Sequence, residues 1–494
     1  MASPLPATGP VPAALSVPRG VALYVGALLG PGLLMLPGLA AGLAGPASIL
    51  AWAGLLAVSG LFAVVFTALG TRLPGGGGVI AYAAAGLGRR AGRAVGWSFL
   101  TAVVLGAPVV CLIGAGYVTA LTGGGRGTTA SVAALLLAGV TALTLAGARI
   151  GTAVQMVLVG LLLAVIVGAV IGSAPSARAA HWTPFAPHGW TAVGSAASVL
   201  MLSFVGWEAV APLTRRLANP KRTLPRITAA AFAVTAVVYL ALAATVIAVL
   251  GPHANGPVPV ADLLRVAIGA SGPAIAAGAA ALLTLATVNA YLTGAAALAA
   301  RLRSSAHDES EPTGTTRTFF LSIAAAGIVE LTAEAFGALD STRMVTLPTA
   351  LFLVVYVGST ASAARVLSGR LRVVATLACA ASAVVLAFSG VAAILAVLVA
   401  AAGLLAPMRR TTKASLGCQI PRGHRQQVIA AVTTGSALPP REDGDAVAEG
   451  ERDVLPVGEA DLADRARKGQ CAVKLAAAQV PEPDGVVVGG RRQH

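Results

Sequence analysis

The stretch Val21–Gly45, VALYVGALLGPGLLMLPGLAAGLAG, is apolar throughout, and Gly30-Pro31-Gly32 interrupts it near its middle. As a helix it is long enough to cross a hydrocarbon core of about 30 Å. Pro31 has no amide hydrogen to donate, and the two glycines weaken the helix further. Exposed backbone groups in a membrane are tolerated only inside protein or beside water. The stretch therefore predicts either a broken helix or an ordinary Gly-Pro kink, since both residues are frequent in membrane helices.

A break at this point would leave backbone groups of both signs in one gap. The amides of Gly32, Leu33 and Leu34 would be free at the start of the second half-helix, with the positive end of its dipole behind them. The carbonyls of Leu28 and Leu29 would point into the same gap. Free amides suit a carboxylate and free carbonyls suit an ammonium, so the gap suits a small zwitterion. Discontinuous helices of this kind form substrate sites in transporters.

The composition indicates a polytopic membrane protein. Of 494 residues, 56% are hydrophobic and only 11% are charged, whereas soluble domains carry about 25% charged residues. The net charge of +15 does not indicate a nucleic-acid partner, because the basic residues lie mostly in short gaps between apolar runs, where they set topology. The four cysteines show neither disulfide nor metal-ligand spacing. No cofactor or metal is expected.

Apolar runs of spanning length predict an all-α protein with about twelve transmembrane helices. With the N-terminus inside, most basic residues fall in inner gaps and few in outer ones, which supports this orientation. The segment 74–93 predicts a cytoplasmic hairpin or a short helix on the membrane surface. The runs are 21–45, 47–70, 94–121, 129–147, 152–173, 191–213, 227–250, 274–300, 318–337, 344–366, 373–389 and 391–407.

These runs divide the chain into three parts. Residues 1–18, rich in Pro and Ala, are expected to form a disordered lead-in, and residues 19–407 a transmembrane domain. Residues 408–494 hold most of the acidic residues without sustained apolar periodicity, so we expect a disordered cytoplasmic tail. The chain is expected in the cytoplasmic membrane, multi-pass, with both termini in the cytoplasm.

A second interruption lies in the sixth run, SAASVLMLSFVGWEAVAPL, at residues 203–208. Gly206 weakens the helix there, and Glu208 places a carboxylate well inside the span. Such a group is costly in lipid, so it should face the bundle interior and be partnered or protonated. The first and sixth runs are five apart, as an inverted repeat of five plus five helices would require.

Four stretches carry a resemblance to a known family: GALLGPGLLMLPGLAAGLAG, LPGGGGVIAYAAAGLGRRAGRAVGW, SFVGWEAVAPLTRRLANPKRTLPRI and LATVNAYLTGAAALAARL. They resemble the first helix, the Pro-x-x-Gly-Gly segment between helices two and three, the sixth helix with its following loop, and the eighth helix of the amino acid–polyamine–organocation permeases. The resemblance covers roughly residues 19–407. Within that family, the sequence most resembles the bacterial exporter branch for methionine and branched-chain amino acids.

The resemblance implies a LeuT-like fold of two five-helix inverted repeats plus two further helices, with helices one and six discontinuous. The substrate carboxylate would meet the amides after Gly30, and its ammonium the carbonyls near Leu28 and near 202–205. Pro31 replaces a Ser or Thr that is common in the family, which removes a hydroxyl and an amide. The implied substrate-binding residues are Leu28, Gly30, Pro31, Gly32, Leu33, Ser203, Phe204, Val205 and Asn289, and the coupling or gating residues are Gly206, Trp207 and Glu208.

The sequence favours a neutral, aliphatic amino acid as the substrate. The residues expected to face the pocket are apolar or small and offer no charge for a charged side chain; they are Leu33, Met35, Val110, Cys111 and Val205. Asn289 could bind substrate or only join helices.

The sequence leaves the direction of transport open, so export is one alternative. It also leaves the coupling ion open: Glu208 could carry a proton, and hydroxyls of the eighth run could bind sodium, namely Thr284, Thr287 and Thr293. The expected partners are the substrate, H+ or Na+, and the lipid bilayer. No nucleophile constellation or His/Asp cluster predicts an enzyme. The alternatives are a transporter of another small amine or organic solute, and a membrane sensor that does not transport.

Overall fold

Helices build the architecture of the described part of the chain, and no strand occurs there. The computed structural model describes residues 16–73, 78–147, 152–209, 214, 217, 219–303, 313–339 and 341–405. The tail expected at 408–494, and the expected lead-in apart from residues 16–18, lie outside these ranges. The predicted disorder of both segments therefore stays a prediction.

Fifteen α-helices follow one another along these residues. They are α1 (Val17–Leu28), α2 (Gly32–Ala44), α3 (Ser48–Arg72), α4 (Gly78–Leu87), α5 (Arg89–Thr122), α6 (Arg126–Leu145), α7 (Thr152–Ser173), α8 (Thr191–Leu200), α9 (Pro220–Thr245), α10 (Pro259–Ile268), α11 (Gly272–Arg303), α12 (Thr313–Ala335), α13 (Ser341–Val366), α14 (Arg370–Ala387) and α15 (Val391–Leu405).

The prediction of an all-α polytopic membrane protein is confirmed. In the described ranges, nine helical segments are long and apolar enough to cross a membrane, and four further apolar helices are shorter. Two of the shorter helices, α1 and α8, are parts of the two interrupted runs. The count of twelve and the inverted repeat stay predictions.

The long helix α5 lies at the centre of the bundle. It packs against α4, α6, α11, α12, α13 and α15. Its buried residues include Val109, Cys111 and Tyr117. α1 packs instead against α7 and α9, and α2 against α8. The two halves of the first interrupted run therefore have different neighbours.

The helix α4 packs against α5 and α13. The Ser362 hydroxyl of α13 donates to the Tyr82 carbonyl at 2.5 Å and accepts from the Gly86 amide at 2.7 Å. A Cβ atom at Gly86 would lie 2.4 Å from the Ser362 carbonyl oxygen, so only glycine allows this approach. The expected short helix is present and one of its faces packs on α13, and its placement at the membrane surface stays a prediction.

The helix α10 was not predicted from the sequence. It lies in the gap between the seventh and eighth apolar runs, and it packs against α7 and α11. Its apolar residues, among them Val260 and Leu263, are buried. Asp262 pairs with Arg265 at 3.3 Å on the outer face of the helix. The helix is only ten residues long, so its apolar face is too short to register as a spanning run.

Candidate functional site

The first interruption is a true break. α1 ends at Leu28, Leu29 takes φ −81° and ψ 72°, and α2 begins at Gly32 after Pro31. A proline in this place cannot continue the hydrogen-bond ladder of α1. Gly30 has open space beside it, because a Cβ atom there would meet no heavy atom within 4 Å.

The turn itself satisfies two of the amides that the break exposes. The Leu33 amide donates to the Gly30 carbonyl at 3.1 Å, and the Leu34 amide donates to the Pro31 carbonyl at 2.9 Å. The expectation of free amides is therefore wrong for Leu33 and Leu34, because a tight first turn satisfies them locally. Among the described backbone hydrogen bonds, none uses the Gly32 amide.

The second interruption lies between two short 3₁₀ turns. α8 ends at Leu200, and a 3₁₀ turn continues to Phe204. Val205 is then extended, with φ −74° and ψ 139°. Gly206 has φ +138°, a conformation that L side chains rarely adopt. The predicted interruption is therefore present, and Gly206 provides the conformation that it requires.

The two breaks pack directly on each other. A Cβ atom at Gly206 would lie 2.5 Å from the Ala27 carbonyl oxygen, so the backbones of the two segments touch there. The Tyr24 hydroxyl of α1 donates to the Trp207 carbonyl at 3.0 Å. The Tyr24 and Trp207 rings also meet edge to face, with centroids 5.3 Å apart. Trp207 is fully buried, and its Nε1–H donates to the Ser59 hydroxyl at 2.8 Å.

Glu208 faces the protein interior and is partnered, as the sequence predicts. Its Oε2 atom accepts from the Tyr356 hydroxyl at 2.7 Å and from the Gly206 amide at 3.0 Å. The Tyr356 hydroxyl also accepts from the Gly206 amide at 3.1 Å and from the Trp207 amide at 3.2 Å. One tyrosine of α13 thus holds both the carboxylate and the unwound backbone before it.

A second tyrosine holds the carbonyls at the two breaks. The Tyr239 hydroxyl of α9 lies 2.8 Å from the Leu28 carbonyl oxygen and 2.5 Å from the Ser203 carbonyl oxygen. The Leu28 carbonyl also accepts from the Gly30 amide at 3.0 Å. A phenol has one proton to donate, so the Leu28 and Ser203 carbonyls share it. In this conformation the Leu28 carbonyl lies against two protein donors, and its expected contact with a substrate ammonium stays a prediction.

Sequence reasoning missed these tyrosines, although a signal was present. The chain has six tyrosines, and every one lies in a helix of the described core. A phenol inside an apolar run normally finds a hydrogen-bond partner. Tyr117 follows the same pattern, since its hydroxyl donates to the Leu34 carbonyl at 2.6 Å.

A cavity of about 540 Å³ lies against both breaks. Residues of α1, α4, α5, α7 and α11 line it, together with Gly206 and Glu208. Among the lining residues in the described ranges, Glu208 is the only charged one. The polar ones also include Gln155, Thr287, Asn289 and Tyr291. As far as the structure describes its lining, the cavity is therefore mostly apolar, with one carboxylate and no fixed cation.

The structure divides the predicted site residues into two groups. Gly206, Glu208 and Asn289 line the cavity. The remaining residues do not line it: Leu28, Gly30, Pro31, Gly32, Leu33, Ser203, Phe204, Val205 and Trp207. All of these except Gly30 are buried. They form the packed seam between the breaks.

The residues expected to face the pocket do not line this cavity. Leu33 and Cys111 are fully buried, and Met35, Val110 and Val205 are also absent from the lining. Leu23, Leu158 and Leu283 supply apolar wall instead. The cavity follows α1 and α11, and contact between the five expected residues and a substrate stays a prediction.

The polar residues of α11 are split between cavity and packing. Thr287 and Thr293 line the cavity, but Thr284 is buried and does not. Asn289 lines the cavity, and its side-chain amide also donates to the Thr144 hydroxyl of α6 at 2.9 Å. Asn289 therefore joins α11 to α6 by a hydrogen bond.

Two polar groups at the seam are left without hydrogen bonds by the residues that the structure describes. The Ser203 hydroxyl is buried without a partner. It would lie 3.5 Å from a Cβ atom at Gly32, whose amide is the unused one of the first break. A buried donor without an acceptor is costly, so this pair is a candidate site for an anionic group.

Comparison with known proteins agrees with this architecture. The family model "Amino acid permease" matches residues 15–411. The uncharacterized amino acid permease YecA of Bacillus subtilis is 30% identical over 342 residues, which cover 67% of this chain and 80% of YecA.

Two further relatives match over shorter stretches. The L-methionine/branched-chain amino acid exporter YjeH of Escherichia coli is 35% identical over 173 residues, covering 33% of this chain and 39% of YjeH. The branched-chain amino acid permease BcaP of Bacillus subtilis is 25% identical over 206 residues, covering 38% and 44%. With broken helices around an interior cavity and a family match along nearly the whole apolar part, the chain belongs to the amino acid permease family.

Proposed function

We propose that this permease is a secondary active transporter of neutral, aliphatic amino acids, working by alternating access in the cytoplasmic membrane with both termini in the cytoplasm. The observation that carries the proposal is the cavity of about 540 Å³ at the two breaks, whose lining is mostly apolar. An apolar wall suits an aliphatic side chain. The described part of the lining holds a carboxylate and no fixed cation, which disfavours a second negative charge on the substrate.

The seam between the breaks supplies a site for the substrate carboxylate. The Gly32 amide and the Ser203 hydroxyl are close together, and neither has a hydrogen-bond partner in the part of the chain that the structure describes. Neither lines the cavity. Binding there requires the breaks to separate, and open space beside Gly30 gives the backbone room to move. Alternating access would provide this movement.

The cavity is proposed to open toward the cytoplasm. It follows α11 from Leu283 to Leu298, toward the basic end of that helix at Arg301 and Arg303. Basic residues concentrate on the cytoplasmic side of membrane proteins. Together with the similarity to the exporter YjeH, this supports export, with loading from the inner side.

A second candidate substrate is a small amine without a carboxylate. The only charge in the cavity lining that the structure describes is Glu208, which suits an ammonium by itself. Such a substrate would not need the Gly32 and Ser203 pair. The comparison of an amino acid with its decarboxylated amine therefore separates the two candidates.

The test is transport into and out of proteoliposomes with an imposed pH gradient. The labelled solutes are leucine, methionine, arginine, glutamate and isopentylamine, which is leucine without its carboxylate. We expect leucine and methionine to be transported and to raise the thermal unfolding midpoint of the purified protein. Preference for arginine or glutamate would contradict the proposal, and preference for isopentylamine would favour the amine candidate.

A further inference from the structure

Three arginines lie in the first two turns of α5, at the end of the bundle that the positive-inside rule assigns to the cytoplasm. They are Arg89, Arg90 and Arg93, and the first turn of α5 holds no acidic residue. The N-terminal end of a helix carries a partial positive charge, so cations there do not stabilise the helix. None of the three forms an ion pair in the part of the chain that the structure describes. Their charge therefore lacks a counter-ion among these residues.

Arg93 differs from the other two arginines in its burial. Its side chain is half-buried, whereas Arg89 and Arg90 are exposed. The Nε atom of Arg93 is buried and has no hydrogen-bond partner among the described residues. By contrast, Arg372 at the same end of the bundle donates from Nε to the Leu367 carbonyl at 3.2 Å. A buried donor of a charged group is costly without an acceptor, so the surroundings of Arg93 fit an external anion.

The contacts of α5 with its neighbours show which part of its surface carries Arg93. A Cβ atom at Gly96 would lie 3.1 Å from Leu302 of α11. On the other side, a Cβ atom at Gly403 of α15 would lie 2.9 Å from the Ala94 Cα atom. An α-helix turns by about 100° per residue, so Arg93 lies between these two directions. Arg93 is therefore placed between the ends of two membrane helices, α11 and α15.

Apolar side chains adjoin this position on the side of the membrane interior. Trp97 lies one turn further along the same face of α5 and is half-buried. Tryptophan is typical of the interface between membrane and water. At the end of α15 that meets α5, Leu404 and Leu405 are exposed. A ligand with a charged head and apolar chains would therefore find both kinds of surface here.

We propose that Arg93 binds the phosphate group of an anionic phospholipid in the inner leaflet, and that Arg89 and Arg90 attract the headgroup by their charge. The planar guanidinium matches phosphate oxygens, and hydrogen bonds between charged groups are strong. Basic pockets between membrane helices on the cytoplasmic side bind anionic headgroups in other proteins. This binding involves no transported solute, so it is independent of the transport function proposed above.

The first test measures the thermal unfolding midpoint of the purified full-length protein in a neutral detergent. The additions are phosphatidylglycerol, phosphatidylcholine with the same acyl chains, and sodium phosphate, all at equal ionic strength. We expect phosphatidylglycerol to raise the midpoint, because a ligand of the folded state stabilises it. Phosphatidylcholine has no net charge and free phosphate has no acyl chain, so we expect no rise with either.

Two arginines provide a matched pair of variants for a binding titration with labelled phosphatidylglycerol. Arg93→Gln removes the charge and the Nε donor, and binding should weaken about tenfold, the effect of losing one hydrogen bond between charged groups. Arg370→Gln removes the same charge from an exposed residue of α14, a helix that packs against α3 and α13. This variant should bind like wild type. Arg93→Lys keeps the charge without the planar fork, so its affinity should fall between wild type and Arg93→Gln.

Three results would overturn the proposal. The first is an equal rise in the midpoint with phosphatidylglycerol and phosphatidylcholine. The second is an equal rise with sodium phosphate, which would indicate a site for a free anion. The third is equal weakening in Arg93→Gln and Arg370→Gln, which would indicate general surface charge. If Arg93→Gln does not fold, the wild-type comparison and Arg93→Lys still decide, and a lysine variant that binds as tightly as wild type would overturn the role of the guanidinium.

Discussion

The hydroxyl of Tyr356 donates to the Oε2 atom of Glu208 at 2.7 Å, and this contact joins α13 to the second helix break. The same hydroxyl accepts from the backbone amides of Gly206 and Trp207. A buried carboxylate is tolerated inside a membrane protein when such donors surround it. The contact therefore explains how the chain keeps an acidic residue at the wall of an apolar cavity.

Removal of this hydroxyl is expected to destabilise the second break. In Tyr356→Phe the Trp207 amide loses its acceptor and Glu208 loses a donor, so we expect a loss of about 1–3 kcal/mol in unfolding free energy. Chemical denaturation in detergent measures this change. Tyr82→Phe, which removes a hydroxyl without a partner in the described structure, is the control. Equal stability of the two variants would contradict the proposed role of Tyr356.

Glu208→Gln tests proton coupling at the same position. The glutamine oxygen can still accept from Tyr356, but the side chain cannot release a proton. We expect this variant to exchange labelled for unlabelled leucine across the membrane and to lose accumulation driven by a pH gradient. Glu330→Gln changes an acidic residue of α12 that does not line the cavity, so it should keep both activities. Accumulation by Glu208→Gln at the wild-type level would exclude Glu208 as the proton carrier.

Gly206→Ala is expected to abolish transport. The new Cβ atom would lie 2.5 Å from the Ala27 carbonyl oxygen, and a φ of +138° strains any L residue by about 1–3 kcal/mol. Flux measurements and size-exclusion profiles show whether the variant folds without transporting. Gly54→Ala places a Cβ atom in open space within α3, so it should be neutral or slightly stabilising. Wild-type flux in Gly206→Ala would show that the two breaks need not touch.

Asn289 can be assigned to substrate binding or to helix packing by comparison with its partner. Thr144→Val removes the hydroxyl that accepts from the Asn289 amide at 2.9 Å, and Thr144 does not line the cavity. If Asn289 contacts substrate, Asn289→Ala should raise the KM for leucine about tenfold, the effect of losing about 1.4 kcal/mol. Thr144→Val should leave the KM unchanged. Equal effects of the two variants on KM would indicate a packing role alone.

The sequence by itself determined the fold class and the places where helices break. The break near Pro31 follows from the missing amide hydrogen of proline, and the break near Gly206 from a backbone conformation that favours glycine. Glu208 faces the interior because lipid excludes a carboxylate. These are local properties or consequences of the solvent, so they can be derived from residue types and spacing.

Only the tertiary structure decided which exposed backbone groups stay free and where the cavity lies. Tyr239 satisfies the Leu28 carbonyl across 211 positions of sequence, and Tyr356 reaches Glu208 across 148. The sequence did not predict that the Leu28 carbonyl would lie against Tyr239, because that partner comes from α9. A broken helix exposes donors and acceptors wherever it stops, and a local turn satisfies some of them, but partners such as Tyr239 and Tyr356 come from helices that only folding brings alongside.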